Sequence, residues 1–319
     1  MGRSRRFAVA RDGTRIAWTS AGAGDPPIVL TDGIGCAGWI WRRLAPELAR
    51  DRRVVYWDYR GHGASGTPAD PERTTLQECA RDLVAVLDAA GIERAVLAGH
   101  SMGVQVVLDA WKRAPSRVAG LVLVCGAPGR ILDTFHDTTA LRTALPWARK
   151  LVDRWPEIAR AGFRALVTAD VALDWALSFE VNPVLLHRDD LLPYFADLSK
   201  VDPALFVRLL SSAAEHDATP WLPDIRAPAL VVAGARDGFT PMRLSVAMSQ
   251  ALRGSDLLIL PAGTHCGPLE QPDLLAARVR AFLAARVPVE RRAPAARRRP
   301  RAAAGAPRRR PRAPRRSRG

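Results

Sequence analysis

The sequence predicts an α/β protein: a mostly parallel sheet with helices on both faces. Three observations point to it. Apolar runs of strand length alternate with longer segments of helical period from residue 6 to about 125, and again after Pro228. The runs "PIVLT", "AVLAG" and "LVLVCG" are apolar without alternation, as strands buried on both faces of a parallel sheet are. Between about 127 and 225 the strand runs stop and only helical segments remain.

Strands are expected at 6–10, 14–19, 27–31, 53–57, 94–99, 118–124, 229–234 and 256–261. Helices are expected over 39–50, 74–90 and 102–114, then 241–252 and 271–286. Gly91 closes the second helix and Pro115 follows the third, as helix stops should. Segments 138–154, 156–168, 170–179, 188–198 and 203–214 make the helical block, punctuated by Pro146, Pro156, Pro183, Pro193 and Pro203. A block inserted between two strand–helix stretches reads as a cap over the sheet edge where ligands bind. A separately folded domain is the alternative, but it would leave too few strands after it to stand alone. The expected division is a core of residues 1–126 and 226–287, a cap over 127–225 and a tail over 288–319.

The 319 residues, 48% of them hydrophobic, suffice for one large core or two modest ones. No apolar run approaches the roughly 18 residues that cross a bilayer. The stretch Phe7 to Ala10 is too short for a signal-peptide core, and a cytoplasmic location is expected. Cys36, Cys79, Cys125 and Cys266 lack CxxC spacing, which fits small buried residues in a reducing compartment better than a metal site or a disulfide framework. The net charge of +15 is concentrated: residues 291–319 hold 13 Arg and no acid, leaving +2 for the rest. Residues 291–319 contain only Arg, Ala, Pro, Gly and Ser, cannot bury a core, and the tail is expected to be disordered. Such a chain can bind polyanions weakly through its guanidinium groups. The plainer reading is a solvated extension with no partner.

Gly99-His100-Ser101-Met102-Gly103 places a serine between two glycines where a strand becomes a helix. Glycines permit so sharp a turn, the turn lifts the Ser101 hydroxyl towards the ligand crevice, and the Met102 N–H at the helix start can stabilise negative charge. A serine needs a base. His265, in "PAGTHCGPLEQP", lies on the loop after the last strand, and Asp237, in "GARDGFTP", lies directly after the preceding strand. A lone loop histidine is usually just solvated. Here three loops each deliver a suitable residue at a strand end, in the chain order Ser, Asp, His. After the third strand, Gly33 and Gly35 let backbone approach a ligand, and the Ile34 N–H is the candidate second oxyanion donor. A plain glycine-rich connector is the alternative there.

On "GHSMG", "GARDGFTP", "PAGTHCGPLEQP" and "DYRGHGASG", the chain resembles the α/β-hydrolase fold superfamily over residues 6–286. The resemblance implies an eight-stranded, mostly parallel sheet with the second strand antiparallel and a helical cap after strand six. It implies Ser101 as nucleophile, His265 as general base, Asp237 as the third member, and backbone donors at Met102 and Ile34. It also implies a small-molecule acyl substrate, an acyl-enzyme, and neither metal nor organic cofactor. Carbon–carbon bond hydrolases and cofactor-free haloperoxidases or perhydrolases share these residues, so that choice stays open, as does oligomeric state. A polyanion-binding protein acting through its tail is the alternative from another class. Gly33, Trp39, Phe239 and Cys266 are expected to line the pocket, together with some of the tryptophans of the cap, and most other aromatics are expected in the core. Two departures stand out: Asp32-Gly33 replaces the frequent His-Gly, which makes Asp32 a second acid near the site, and Val104 replaces a frequent Gly. Asp58, Arg60 and His62 are expected to build a hydrogen-bonded structural loop, and His100 is expected to face away from the site.

Overall fold

The computed structural model describes residues 5–133 and 138–287; the tail expected over 288–319 lies outside the described residues. Eight strands form one sheet: β1 (Arg6–Val9), β2 (Arg15–Ala21), β3 (Ile28–Thr31), β4 (Val54–Trp57), β5 (Ala95–His100), β6 (Val118–Val124), β7 (Ala229–Gly234) and β8 (Asp256–Leu260). Their spatial order is β1-β2-β4-β3-β5-β6-β7-β8. β2 is antiparallel to both β1 and β4, and the remaining neighbours are parallel.

The sequence pattern follows from this order. Every residue of β3, β5, β6 and β7 is buried, because helices cover both faces, whereas the edge strand β8 alternates exposed and covered residues. On one face Leu97, Leu121, Leu123 and Val231 pack under α2 (Leu76–Ala89) and α3 (Met102–Arg113), which follow α1 (Leu44–Leu48) in the chain. On the other face Val96, Ala98, Val122 and Val232 pack with Leu44, Leu275, Val279 and Phe282. Each of these Leu, Val and Phe side chains contributes roughly 1.5–3 kcal/mol through burial.

Between β6 and β7 the chain forms α4 (Ala140–Arg154), α5 (Pro156–Thr168), α6 (Asp170–Phe179), α7 (Arg188–Leu198) and α8 (Pro203–Glu215). Pro146 and Pro193 lie inside α4 and α7 rather than at their ends. α8 is rooted in the main core: Leu209 and Ala213 are fully buried in the α2/α3 layer, and Gln105 Nε2 donates to Ala213 O at 2.9 Å. After β7 come α9 (Met242–Ala251), α10 (Gly267–Glu270) and α11 (Pro272–Arg286).

One expected helix shortens, and another keeps its bounds to within a residue but gains a separate turn before it. The helix expected over 39–50 shrinks to α1, because Asp32 captures the Gly38 N–H at 2.6 Å and residues 35–43 turn around buried Trp39 and Trp41. The helix expected from 271 is preceded by the separate turn α10, with Pro272 at the start of α11. A third expectation fails outright. Trp147, Trp155 and Trp175 are 69%, 51% and 45% exposed, so these tryptophans of the block face outward rather than into a core or pocket. Apolar residues recurring every third or fourth position mark a buried helix face only if a neighbour covers that face.

The sheet order reverses at β3. From it the chain steps to β4 on one side and then returns to β5 on the other. In open parallel sheets the crevice at such a point, outside the carboxyl ends of the strands, is where ligands bind. Residues 32–34 and 100–102 border that crevice.

Candidate active site

Ser101 sits between β5 and α3 with φ 54° and ψ −122°. This region is unfavourable for a side-chain-bearing residue and persists only where surroundings enforce it. Here they do. A Cβ on Gly99 would overlap the Gly103 carbonyl, and one on Gly103 would lie 2.5 Å from the carbonyl oxygens of both Thr31 and Asp32. The start of α3 is thus pressed against the end of β3. Gly33 lies beside the serine, its Cβ position 3.2 Å from Ser101 Cβ. The Met102 N–H opens α3 and has no acceptor within the helix, and the peptide following Gly33 carries the Ile34 N–H. Val104 packs its methyl group over Gly126, where a Cβ would come within 2.5 Å. The bulk added at 104 is matched by its absence at 126.

His265 and Asp237 come together from the loops after β8 and β7, with His265 Nδ1 3.1 and 3.2 Å from the two carboxylate oxygens. Asp237 also accepts the Phe239 N–H at 2.9 Å, the Thr240 N–H at 2.8 Å and the Thr240 hydroxyl at 2.8 Å. Burial pushes this carboxyl up, but His265 and the Thr240 donors outweigh it and hold it below its ordinary range. Burial likewise pushes the imidazole down, and Asp237, with Glu180 and Glu270 further off, raises it overall. The carboxylate facing Nδ1 keeps the ring proton there and leaves Nε2 with a lone pair. Phe239 stacks on the imidazole, ring centres 4.7 Å apart.

His100 differs from expectation. Its Nε2 donates to the His265 carbonyl at 2.9 Å and its ring centre lies 4.9 Å from that of His265. The side chain next to Ser101 therefore reaches the His265 loop rather than pointing away from the site. Burial, then the neighbouring His265, push its pKa down to about 3, so it stays neutral. The motif gave no sign of this contact, because residue 100 ends β5 and residue 265 follows β8, with β6 and β7 between them in the sheet, and strand order is not legible in a motif.

Asp32 is 2% exposed, and its Oδ2 accepts from Gly38 N at 2.6 Å and from the Tyr56 hydroxyl at 2.8 Å. Burial pushes it up to about 7. It braces the 32–38 loop from beneath and presents no exposed acid to a ligand. Trp39 turns to the block, with Nε1 donating to Asp190 O at 2.6 Å and its ring 5.1 Å from that of Tyr194. Cys266 is buried next to His265, and burial pushes its thiol well up. All four cysteines are free and buried. Arg60 is buried in a bidentate pair with Asp82, Asp58 caps the Ala64 N–H, and His62 Nδ1 lies 3.0 Å from Arg60 O, which makes this a structural loop. Among the described residues no three His, Cys, Asp or Glu side chains are grouped to hold a metal, and no helix is long and apolar enough to cross a membrane.

The family model described as alpha/beta hydrolase fold matches residues 26–272. A protein of Azorhizobium caulinodans provisionally named carbamate hydrolase RutD is 27% identical over 256 residues, 79% of this chain and 89% of that one. The 2-hydroxy-6-oxo-2,4-heptadienoate hydrolase of Pseudomonas putida is 28% identical over 270 residues, 83% of this chain and 91% of that one. Among solved structures, the esterase RhEst1 from Rhodococcus sp. superposes with a TM-score of 0.70 at 25% identity, covering 89% of this chain and 99% of its own.

Proposed function

Because the chain belongs to the alpha/beta hydrolase fold family, we propose that it is a serine hydrolase cleaving an ester or related acyl bond through Ser101, His265 and Asp237. The observation that carries this reading is the strained turn that raises Ser101 beside Gly33, with the adjoining His100 hydrogen-bonded to the loop of an imidazole already paired with a buried carboxylate.

Ser101 Oγ attacks the substrate carbonyl while His265 Nε2 takes its proton. Asp237 holds the ring and stabilises the imidazolium. The oxyanion is met by the N–H groups of Met102 and Ile34, each such donor being worth about 3 kcal/mol in the transition state. Collapse of the tetrahedral adduct expels the leaving group, which receives the proton from His265. Water, deprotonated by the same imidazole, then hydrolyses the acyl-enzyme. Helices α4–α8 serve as the cap that shapes the acyl pocket, with Phe239 and Cys266 beside the imidazole.

The likeness to a 2-hydroxy-6-oxo-2,4-heptadienoate hydrolase favours one second reading, carbon–carbon bond hydrolysis with the same three residues. A panel of p-nitrophenyl esters and vinylogous diketones separates the two. A fluorophosphonate probe is expected to label wild-type protein at Ser101, and Ser101→Ala is expected to lose labelling and turnover together. Full activity in Ser101→Ala overturns the proposal.

A further inference from the structure

The loop that carries His265 is held from two sides. On the sheet side, Arg236 N donates to Gly263 O and His100 Nε2 to His265 O, both at 2.9 Å. On the other side lies the short segment Glu180–Asn182, which follows α6. Thr264 Oγ1 donates to the Glu180 carbonyl at 2.9 Å, and Asn182 Nδ2 donates to Ala262 O at 2.9 Å. The Asn182 N–H donates to Glu270 Oε1 at 2.6 Å, while Glu270 Oε2 accepts the Thr264 N–H at 2.6 Å. Asn182, Thr264 and Glu270 are each 6% exposed.

Glu270 is therefore a bridge with one foot on each element. Without it, two buried backbone N–H groups, one on the block and one directly before His265, lose their acceptor. Apolar packing would hold two segments together without fixing their register. A carboxylate between two backbone donors fixes both distance and direction. General-base catalysis depends on that register, since a displacement of about 1 Å at a catalytic group can cost around 100-fold in rate.

We propose that Asn182 and Glu270 are positioning residues that lock the His265 loop to the segment following α6, so that the helical block sets where the imidazole stands relative to Ser101. The inference deepens, and rests on, the serine-hydrolase reading above. Its consequence is that whatever moves the end of α6, a bulky acyl chain included, also moves the base.

Asn182→Ala and Glu270→Gln in the full chain test it. Asn182→Ala removes the bonds to Ala262 O and Val184 N but leaves the Glu270 bridge. It is expected to lower kcat about ten-fold with KM within about two-fold, with fluorophosphonate labelling slowed in parallel. Hydrogen exchange in the peptide covering 261–267 is expected to quicken while β5 and β6 stay protected. Glu270→Gln is expected to do the same and also to move the acid limb of kcat/KM to lower pH. The groups facing the imidazole are Asp237, Glu180 and Glu270, with neutral His100 below, and this variant deletes one negative charge from that set.

If Glu270→Gln does not fold, Asn182→Ala decides alone. Unchanged exchange at 261–267 and unchanged kcat in Asn182→Ala overturn the inference. Failure of the serine-hydrolase reading shows separately, as a wild-type protein that the probe does not label. The exchange measurement then still decides whether the block holds the loop.

Discussion

At Ser101 the backbone is held where a side-chain-bearing residue resists going, and the restraint comes from two glycines that let α3 approach β3. Gly103→Ala places a methyl group 2.5 Å from two backbone oxygens that have no rotamer to escape through. Its expected cost is about 1–3 kcal/mol, read as a lowered thermal midpoint together with slower Ser101 labelling. Asp32 makes a pH-dependent claim. Burial raises its pKa from 3.8 to about 7. Between those values the folded chain keeps a proton that the unfolded chain has released, so stability falls as pH rises through the window, and the penalty is complete above it. Asp32→Asn keeps an acceptor for Gly38 and Tyr56 without the charge. Relative to wild type it should gain little at pH 4 and up to about 4 kcal/mol at pH 8, measured by urea denaturation at both pH values.

Among the elements, the turn after β4 leans on one guanidinium. Arg60 is fully buried, pairs with Asp82 through two 2.7 Å bonds and with Asp12 at 2.9 Å, and so ties that turn to α2 and to the β1–β2 turn. Arg60→Ala leaves the Asp82 carboxylate buried without its cation and should cost about 3–5 kcal/mol in denaturant unfolding. The same elements mark how far the sequence could be read. The central strands were legible because burial on both faces leaves continuous apolar runs. Ser101, Asp237 and His265 stood out because each lies just beyond such a run. The 39–50 segment misled because its Trp41, Leu44 and Leu48 have helical spacing, yet Trp41 is buried by a turn that Asp32 organises. Trp147, Trp155 and Trp175 misled because spacing reports amphipathicity and not which face is covered. His100 and Glu270 stayed hidden because their partners are loops that meet only when β5, β7 and β8 take their places in the sheet.

For the molecule as a whole, the decisive join is between β6 and β7. Leu121 to Val124 pair in parallel register with Ala229 to Val232, and the entire helical block lies between them in the chain. A fragment ending at residue 225 should therefore expose one edge of "VAGLVLV", a strand buried throughout in the full protein. Such a fragment is expected to sediment as aggregate, and the chain extended to Val287 to remain dispersed. During synthesis the ribosome must release the whole of residues 125–228 before the strand that seals this seam emerges. For that interval the nascent polypeptide carries an open, fully apolar margin next to Ser101, so chaperone occupancy should peak there and subside as residue 234 clears the exit tunnel.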